Sequence, residues 1–186
     1  FSAVAGIPGD ASTYYVGAAS GGIYKTADAG VHWDPIFDGQ PVASIGSLAV
    51  AVSDPNIVWA GTGEGKIRSH ISVGQGIYKS NDAGKTWTLM GLERTQVIAR
   101  IIVHPRNADI VWVAALGAPW NSNPDRGLYK TTDGGKTWRL VKFISDKAGF
   151  IDRQIAQFDQ ILGLVYVLLL LAVIIALVGI VNTLAL

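Results

Sequence analysis

The chain has no cysteine, a single methionine and almost no charge near its C-terminus: beyond Asp152 only Arg153 and Asp159 carry a formal charge. The missing cysteines exclude disulfide frameworks and thiolate metal sites, and they leave the cellular compartment open. Lys and Arg (15) nearly balance Asp and Glu (14), so there is no broad basic field of the kind that binds nucleic acid. His32, His70 and His104 are too far apart for metal-ligand spacing, so no metal is expected. Gly61, Gly63 and Gly65 are not followed by the Lys-Ser/Thr pair of a phosphate loop, and no cofactor is implied. No basic-then-apolar leader opens the chain. It starts at Phe1 and stops at Leu186 inside an apolar run, so it is expected to be a piece of something longer.

What is present is an internal repeat. Thr26-Ala-Asp28-Ala-Gly30-Val-His-Trp33 returns as Ser80-Asn-Asp82-Ala-Gly84-Lys-Thr-Trp87 and as Thr131-Thr-Asp133-Gly-Gly135-Lys-Thr-Trp138. The recurrence of about 50 residues is the size of one propeller blade. Gly22-Ile-Tyr-Lys25, Gly76-Ile-Tyr-Lys79 and Gly127-Leu-Tyr-Lys130 lead into the three copies as short strands. Upstream of each lies a Pro-bearing turn (Pro8, Pro55, Pro105) feeding an apolar strand. Further β-formers precede two of these turns, at Ser47-Leu-Ala-Val-Ala-Val52 and Val97-Ile-Ala-Arg-Ile-Ile-Val103. The order within each unit predicts four strands, the count of a blade.

The eight-residue pattern has a turn logic. An aspartate accepts backbone N–H bonds from its own turn. A glycine two residues later takes a positive φ. A tryptophan three residues further buries its ring between neighbouring sheets. Asp28, Asp82 and Asp133 are therefore read as structural rather than catalytic, because equivalent places in separate blades do not converge on one site.

These residues resemble the Asp-box, or BNR, repeat of sialidases, xyloglucanase-type glycoside hydrolases and sortilin-type receptors. The wording around them, such as Gln40-Pro-Val-Ala-Ser-Ile-Gly46 and Trp59-Ala-Gly-Thr-Gly-Glu64, is most similar to bacterial proteins with a sortilin N-terminal type propeller. The resemblance covers about residues 1–149. It implies a β-propeller outside the cytoplasm that binds protein, peptide or glycan, and it does not by itself imply catalysis. Three blades do not close a ring of the usual four to eight, which again points to a fragment.

Enzymatic readings find thinner support. The Phe-Arg-Ile-Pro signature of sialidases is absent, and Arg68, Arg94, Arg100 and Arg126 follow no pattern. A glycosidase needs two carboxylates about 5 to 10 Å apart. Glu64, in the loop Gly61-Thr-Gly-Glu-Gly65, is the best single candidate. Loop residues Glu64, Arg68, His70 and Trp120 are the expected ligand contacts, with Trp120 in Pro119-Trp-Asn-Ser-Asn-Pro-Asp125 placed to stack on a sugar ring or a partner side chain.

From Ile161 to Val181 no side chain ionises near neutral pH, a length that matches a membrane-crossing helix. Residues 161–186 are expected to form that helix, and 150–160 a polar helical lead-in. Gln157-Phe-Asp-Gln-Ile-Leu-Gly-Leu-Val165 and Ala172-Val-Ile-Ile-Ala-Leu-Val-Gly-Ile-Val-Asn-Thr-Leu-Ala-Leu186 resemble the first helix of the C-terminal membrane domain of FtsX-like ABC transporter permeases. Gly179, Asn182 and Thr183 match that helix, while the family's downstream stretches are absent. A transport role would need further helices and an ABC ATPase partner. The two resemblances meet between Gly149 and Arg153, where either a chimera or a membrane-anchored fusion would be joined.

The expected fold is thus all-β over residues 1–149, a partial β-propeller of about three four-stranded blades, followed by a single transmembrane helix. The expected function is non-catalytic binding of protein, peptide or glycan by a propeller tethered to the cell membrane and facing outward. A glycoside hydrolase and a permease fragment are the alternatives.

Overall fold

A computed structural model describes residues 1–66, 70–120, 123–144, 162–172 and 174–175. The chain divides into two compact units, Phe1–Ile144 and Ser145–Leu186. The first unit holds three four-stranded antiparallel sheets. Sheet one runs β1 (Ala3–Gly6), β2 (Tyr14–Gly17), β3 (Ile23–Thr26), β4 (Asp34–Pro35); sheet two runs β5 (Ile45–Ala51), β6 (Asp54–Thr62), β7 (Ile77–Ser80), β8 (Thr88–Leu89). Sheet three runs β9 (Ile98–His104), β10 (Asn107–Ala115), β11 (Gly127–Thr131), β12 (Arg139–Phe143). In each, strands pair in chain order as a meander, the arrangement of a propeller blade. A short 3-10 turn, Glu93–Thr95, lies between the second and third blades.

The first strands stack, β1 against β5 and β5 against β9. Ile45–Leu48 of β5 are all buried, as a strand between two neighbouring blades must be. The fourth strands β4 and β8 are two residues long and exposed, which keeps the outer edges short. Two apolar cores fill the spaces between blades. Tyr15, Ile23, Phe37, Ile45, Val58 and Tyr78 centre the first, and Trp59, Ile77, Ile98, Ile101, Val111 and Val113 form the second.

Each Asp-box closes on itself as expected, with a further layer. Asp82 Oδ1 accepts from Ser80 Oγ (2.7 Å) and Thr86 N (2.8 Å), and Asp82 Oδ2 accepts from Thr86 Oγ1 (2.6 Å). Asp133 repeats this with Thr131 and Thr137, and Asp28 with Thr26 and the His32 backbone and ring. The hydroxyl at the first box position is buried and also receives the glycine N–H, as in Gly84 N to Ser80 Oγ at 2.8 Å. The left-handed region is occupied at the residue after each aspartate as well as at the box glycine: Ala83 has φ 58° and Gly84 φ 92°.

The boxes also join the blades, by a contact made twice. Trp87 Nε1 donates back to Ile36 O of the first blade (2.8 Å), and Trp138 Nε1 to Met90 O of the second (2.7 Å). In the opposite direction Lys25 Nζ donates to Ala83 O (3.0 Å), and Lys79 Nζ to Gly134 O (3.4 Å). Each lysine lies over the ring beside it in the sheet, Lys25 on Tyr15 at 5.4 Å and Lys79 on Trp59 at 5.1 Å. Phe37 of the first blade meets Tyr78 and Trp87 of the second edge-on, with centroids 5.3 and 5.2 Å away. Trp33 departs from the expectation that every box tryptophan is buried between sheets. It is 40% exposed, and its Nε1 donates to Gly30 O in its own turn (3.0 Å), because no described sheet lies on that side.

In the second unit, residues 162–172 and 174–175 are helical and exposed. Among the described residues no helix is long and apolar enough to cross a membrane. Half of the span expected over 161–186, and all of the lead-in 150–160, lie outside the described residues.

Candidate functional site

Antiparallel order sorts the connections onto two ends of the blades. The β3–β4 turns, which carry the Asp-boxes, fall at one end. The β2–β3, β6–β7 and β10–β11 loops and the links between blades fall at the other. Glu64, His70 and Trp120 therefore share the end opposite the boxes, while Arg68 lies outside the described residues. Glu64 and His70 lie on the β6–β7 loop and Trp120 on the β10–β11 loop, and their side chains differ in availability.

Glu64 is 5% exposed, sunk at the root of its loop rather than presented at the tip. Its backbone N–H donates to Ser72 O at 3.0 Å, and Gly63 N donates to Ser44 O at 2.9 Å. Thr62 Oγ1 donates to Gly76 O (2.6 Å) and accepts from Gln75 N (2.8 Å), so the loop is stitched closed at its base. Ser44 Oγ donates to Ser72 O at 3.0 Å, tying the β6–β7 loop to the link between the first two blades. Above this stitching runs a groove of about 460 Å³ lined by Ser20, Ser44, Ser72, Gln75, Glu93 and Gln96, among others. Hydroxyls, amides and one carboxylate share the lining with Pro41, Val42, Ala43 and Val73, a mixed set that pairs with a ligand carrying both hydroxyls and apolar faces. Glu93 and Gln96 did not stand out in the sequence, because only the fold brings the link between blades two and three alongside the β6–β7 loop.

Trp120 is 67% exposed. The described part of its loop is braced: Arg126 Nε donates to Leu116 O (2.8 Å) and Arg126 Nη2 to Ala118 O (3.3 Å). Asn123 Nδ2 also donates to Ala118 O (3.1 Å), and Tyr129 OH donates to Asp125 O (3.0 Å). Arg94 reaches Asp125 from the preceding link at 3.4 Å. Two arginines that follow no pattern in the sequence thus tie the described flanks of the tryptophan loop, at Leu116, Ala118 and Asp125.

The box carboxylates are unsuited to proton transfer. Hydrogen bonds from Thr86 Oγ1 and N, then from Ser80, hold Asp82 down at about 2. Thr137 and Thr131 lower Asp133, and the His32 backbone and ring with Thr26 lower Asp28, well below the ordinary carboxylate range. A general acid needs the opposite shift. Among the described residues no three of His, Cys, Asp or Glu form a metal cluster.

Residues 129–140 match the BNR/Asp-box repeat. The chain is 29% identical over 147 residues to the xyloglucanase Xgh74A of Acetivibrio thermocellus, covering 69% of this chain and 16% of that enzyme. It is similar to the crystal structure of the Niastella koreensis GH74 enzyme, with a TM-score of 0.55 and 26% identity over 76% of this chain and 22% of that one. An ancestral GH74 enzyme shares the fold at a TM-score of 0.60 and 22% identity, over 77% of this chain and 18% of that one. YCF48, solved bound to a D1 peptide, shares the fold at 0.52 and 15% identity, over 74% and 39%. The chain therefore spans less than a quarter of the GH74 enzymes that it resembles, and its sheets are those of a glycoside-hydrolase-like propeller.

Proposed function

We propose that this chain is the polysaccharide-binding part of a glycoside-hydrolase-like propeller, works outside the cytoplasm, is tethered to a membrane by its apolar tail, and does not itself cleave. The observation that carries this reading is the end of the blades opposite the boxes, where a groove of mixed polar and apolar lining and the exposed Trp120 share one side. An aromatic face beside hydroxyl and amide groups suits a glucan chain, whose sugar rings are apolar above and below and polar at the rim. The likeness to a xyloglucanase narrows the ligand from protein, peptide or glycan to a β-glucan of xyloglucan type. The absence of cleavage rests on the box aspartates being locked as ionised acceptors and on the burial of Glu64. The tether rests on the run from Ile161 to Val181, in which no side chain ionises near neutral pH.

The full chain, in detergent, is tested against xyloglucan by affinity electrophoresis and by reducing-end release. Retarded migration without released sugar is expected, with retardation weakened about tenfold by Trp120→Ala, in line with the loss of one aromatic stacking contact. Migration unaffected by xyloglucan sinks the binding reading. Release of sugar that disappears in Glu64→Gln establishes instead a glycoside hydrolase, the second reading, which the similarity to Xgh74A favours.

A further inference from the structure

The chain contains two Asp-Gly dipeptides, Asp38-Gly39 and Asp133-Gly134. An aspartate followed by glycine has a reaction open to it that bulkier neighbours hinder. With no Cβ beside it, the glycine nitrogen can reach the side-chain carboxyl of the residue before it. The fold gives the two copies opposite surroundings.

Asp133-Gly134 is locked inside the third box. Asp133 Oδ1 accepts from Thr131 Oγ1 (2.7 Å) and Thr137 N (3.0 Å), and Oδ2 from Thr137 Oγ1 (2.6 Å). These bonds hold the carboxyl ionised to well below the ordinary range. The nitrogen that would attack is engaged as well, since Gly134 N donates to Asp109 O at 3.1 Å. Gly134 O in turn accepts from Lys79 Nζ at 3.4 Å.

Asp38-Gly39 forms the centre of a turn between β4 and β5, closed by Gln40 N donating to Phe37 O at 3.0 Å. Both residues are exposed, and a Cβ on Gly39 would meet nothing within 4 Å. Among the described residues no group donates to the Asp38 carboxylate and none accepts from Gly39 N–H. The turn stands between two fixed points. Phe37 before it is buried against Tyr78 and Trp87, and Pro41, Val42 and Ala43 after it form part of the groove wall. A solvent-exposed turn with one closing backbone bond belongs to the part of a fold that opens most readily.

We propose that Asp38 is a site of spontaneous isoaspartate formation, and that the third box protects Asp133 from the same reaction. When the turn opens, Gly39 N bonds to Cγ of the protonated Asp38 carboxyl. The amide hydrogen and the carboxyl hydroxyl leave together as one water, and a five-membered imide closes. One water then adds at either imide carbonyl. Opening at Cγ restores aspartate. Opening at the main-chain carbonyl leaves Gly39 attached through Cγ, so the backbone gains one carbon and the free carboxylate moves to the Asp38 main-chain carbon. Mass is unchanged, and solvent water is the only co-reactant. The extra carbon enters between Phe37 and the groove wall. The reaction needs no polysaccharide, so it stands or falls apart from xyloglucan binding.

The test incubates the folded full chain in detergent at near-neutral pH, then digests it with trypsin and reads the linkage by electron-transfer mass spectrometry. Asp38 falls in the peptide from Thr26 to Lys66, and Asp133 in that from Thr131 to Lys136. Relative to the zero-time sample, the β-linked form is expected to accumulate at 38 about tenfold faster than at 133, or more, because only the first site opens locally. Gly39→Ala fits the open space and needs no left-handed backbone. Its methyl obstructs the attack and is expected to slow the reaction at 38 by a similar factor, with circular dichroism checking the fold. In urea, where the box no longer holds Asp133, the two sites are expected to react at comparable rates. A folded chain without isoaspartate at 38 overturns the proposal, as does a Gly39→Ala chain that reacts equally fast. So do equal rates at the two sites in the folded chain. A difference that persists in urea overturns it too, since its cause would then lie in the neighbouring residues rather than in the fold.

Discussion

The first Asp-box and the two that follow it have the same local structure and different surroundings. All three fold the same aspartate turn, with the same left-handed residues in succession. Only Trp87 and Trp138 reach a carbonyl in another blade, whereas Trp33 bends back to Gly30. The glycines differ in the same way. A Cβ on Gly135 would stand 2.6 Å from Trp59 and one on Gly84 2.6 Å from Ile36, while one on Gly30 would meet only its own Trp33 at 3.6 Å. The turn is therefore an autonomous local solution, and the joining of blades is a second role laid over it.

Replacing the tryptophans separates the two roles most widely. Trp138→Ala is expected to destabilise the propeller by about 3–5 kcal/mol, as removal of a large packed aromatic does, and Trp33→Ala by less than about 1 kcal/mol, as for a surface residue. Denaturant unfolding followed by fluorescence makes the measurement, and equal losses would show that the tryptophan serves its turn alone. Glycine substitution gives a smaller contrast. Gly30→Ala is expected to cost about 1–2 kcal/mol for its left-handed backbone, and Gly135→Ala about a further 1–3 kcal/mol for displacing Trp59. If the two variants unfold alike, the close approach between blades relaxes without cost.

The finest contrast lies in the aspartates. Their folded-state values are depressed, so the stability they contribute is present above the ordinary value of 3.8 and is lost as pH falls through the folded value, about 2 for Asp82. The largest contribution at Asp82 comes from the Thr86 side chain, whereas at Asp28 it comes from the His32 backbone N–H, which no side-chain change removes. Thr86→Val should raise the carboxyl midpoint of Asp82 in a carbon-detected NMR titration by more than His32→Ala raises that of Asp28. The reverse order would mean that the side chain at that position is interchangeable among boxes.

The repeat made most of the propeller unit readable in advance. The eight-residue spacing, the tyrosine strands and the proline turns mark three four-stranded units, and three such sheets are present. What the sequence could not convey lies between units. The box pattern at Trp33 and Trp87 is the same, so exposure at one and a bond across blades at the other follow from neighbours alone. Ala29 and Ala83 lie in the left-handed region although alanine does not advertise it, because the anchored aspartate imposes the turn. On the candidate face, Trp120 was legible as an aromatic in a polar loop. The brace from Arg126 was not, since its carbonyl partners carry no side-chain signature. Glu64 stood out by its glycine-rich setting and proved buried, because the backbone at Gly63 and Glu64 is bonded to Ser44 O and to Ser72 O across the loop.

Among the three described blades the middle one is clamped on both sides, receiving Lys25 and Phe37 from one neighbour while Lys79 and Met90 O engage the other. In a linear array with nearest-neighbour coupling, such a unit opens last, since its exposure requires two interfaces to break at once. Its second strand carries Val58, Trp59 and Ala60 with no exposed surface at all. The amides of that strand are accordingly expected to exchange slowest among the three described blades, so the strength of a blade there depends on its neighbours as well as on its own sequence.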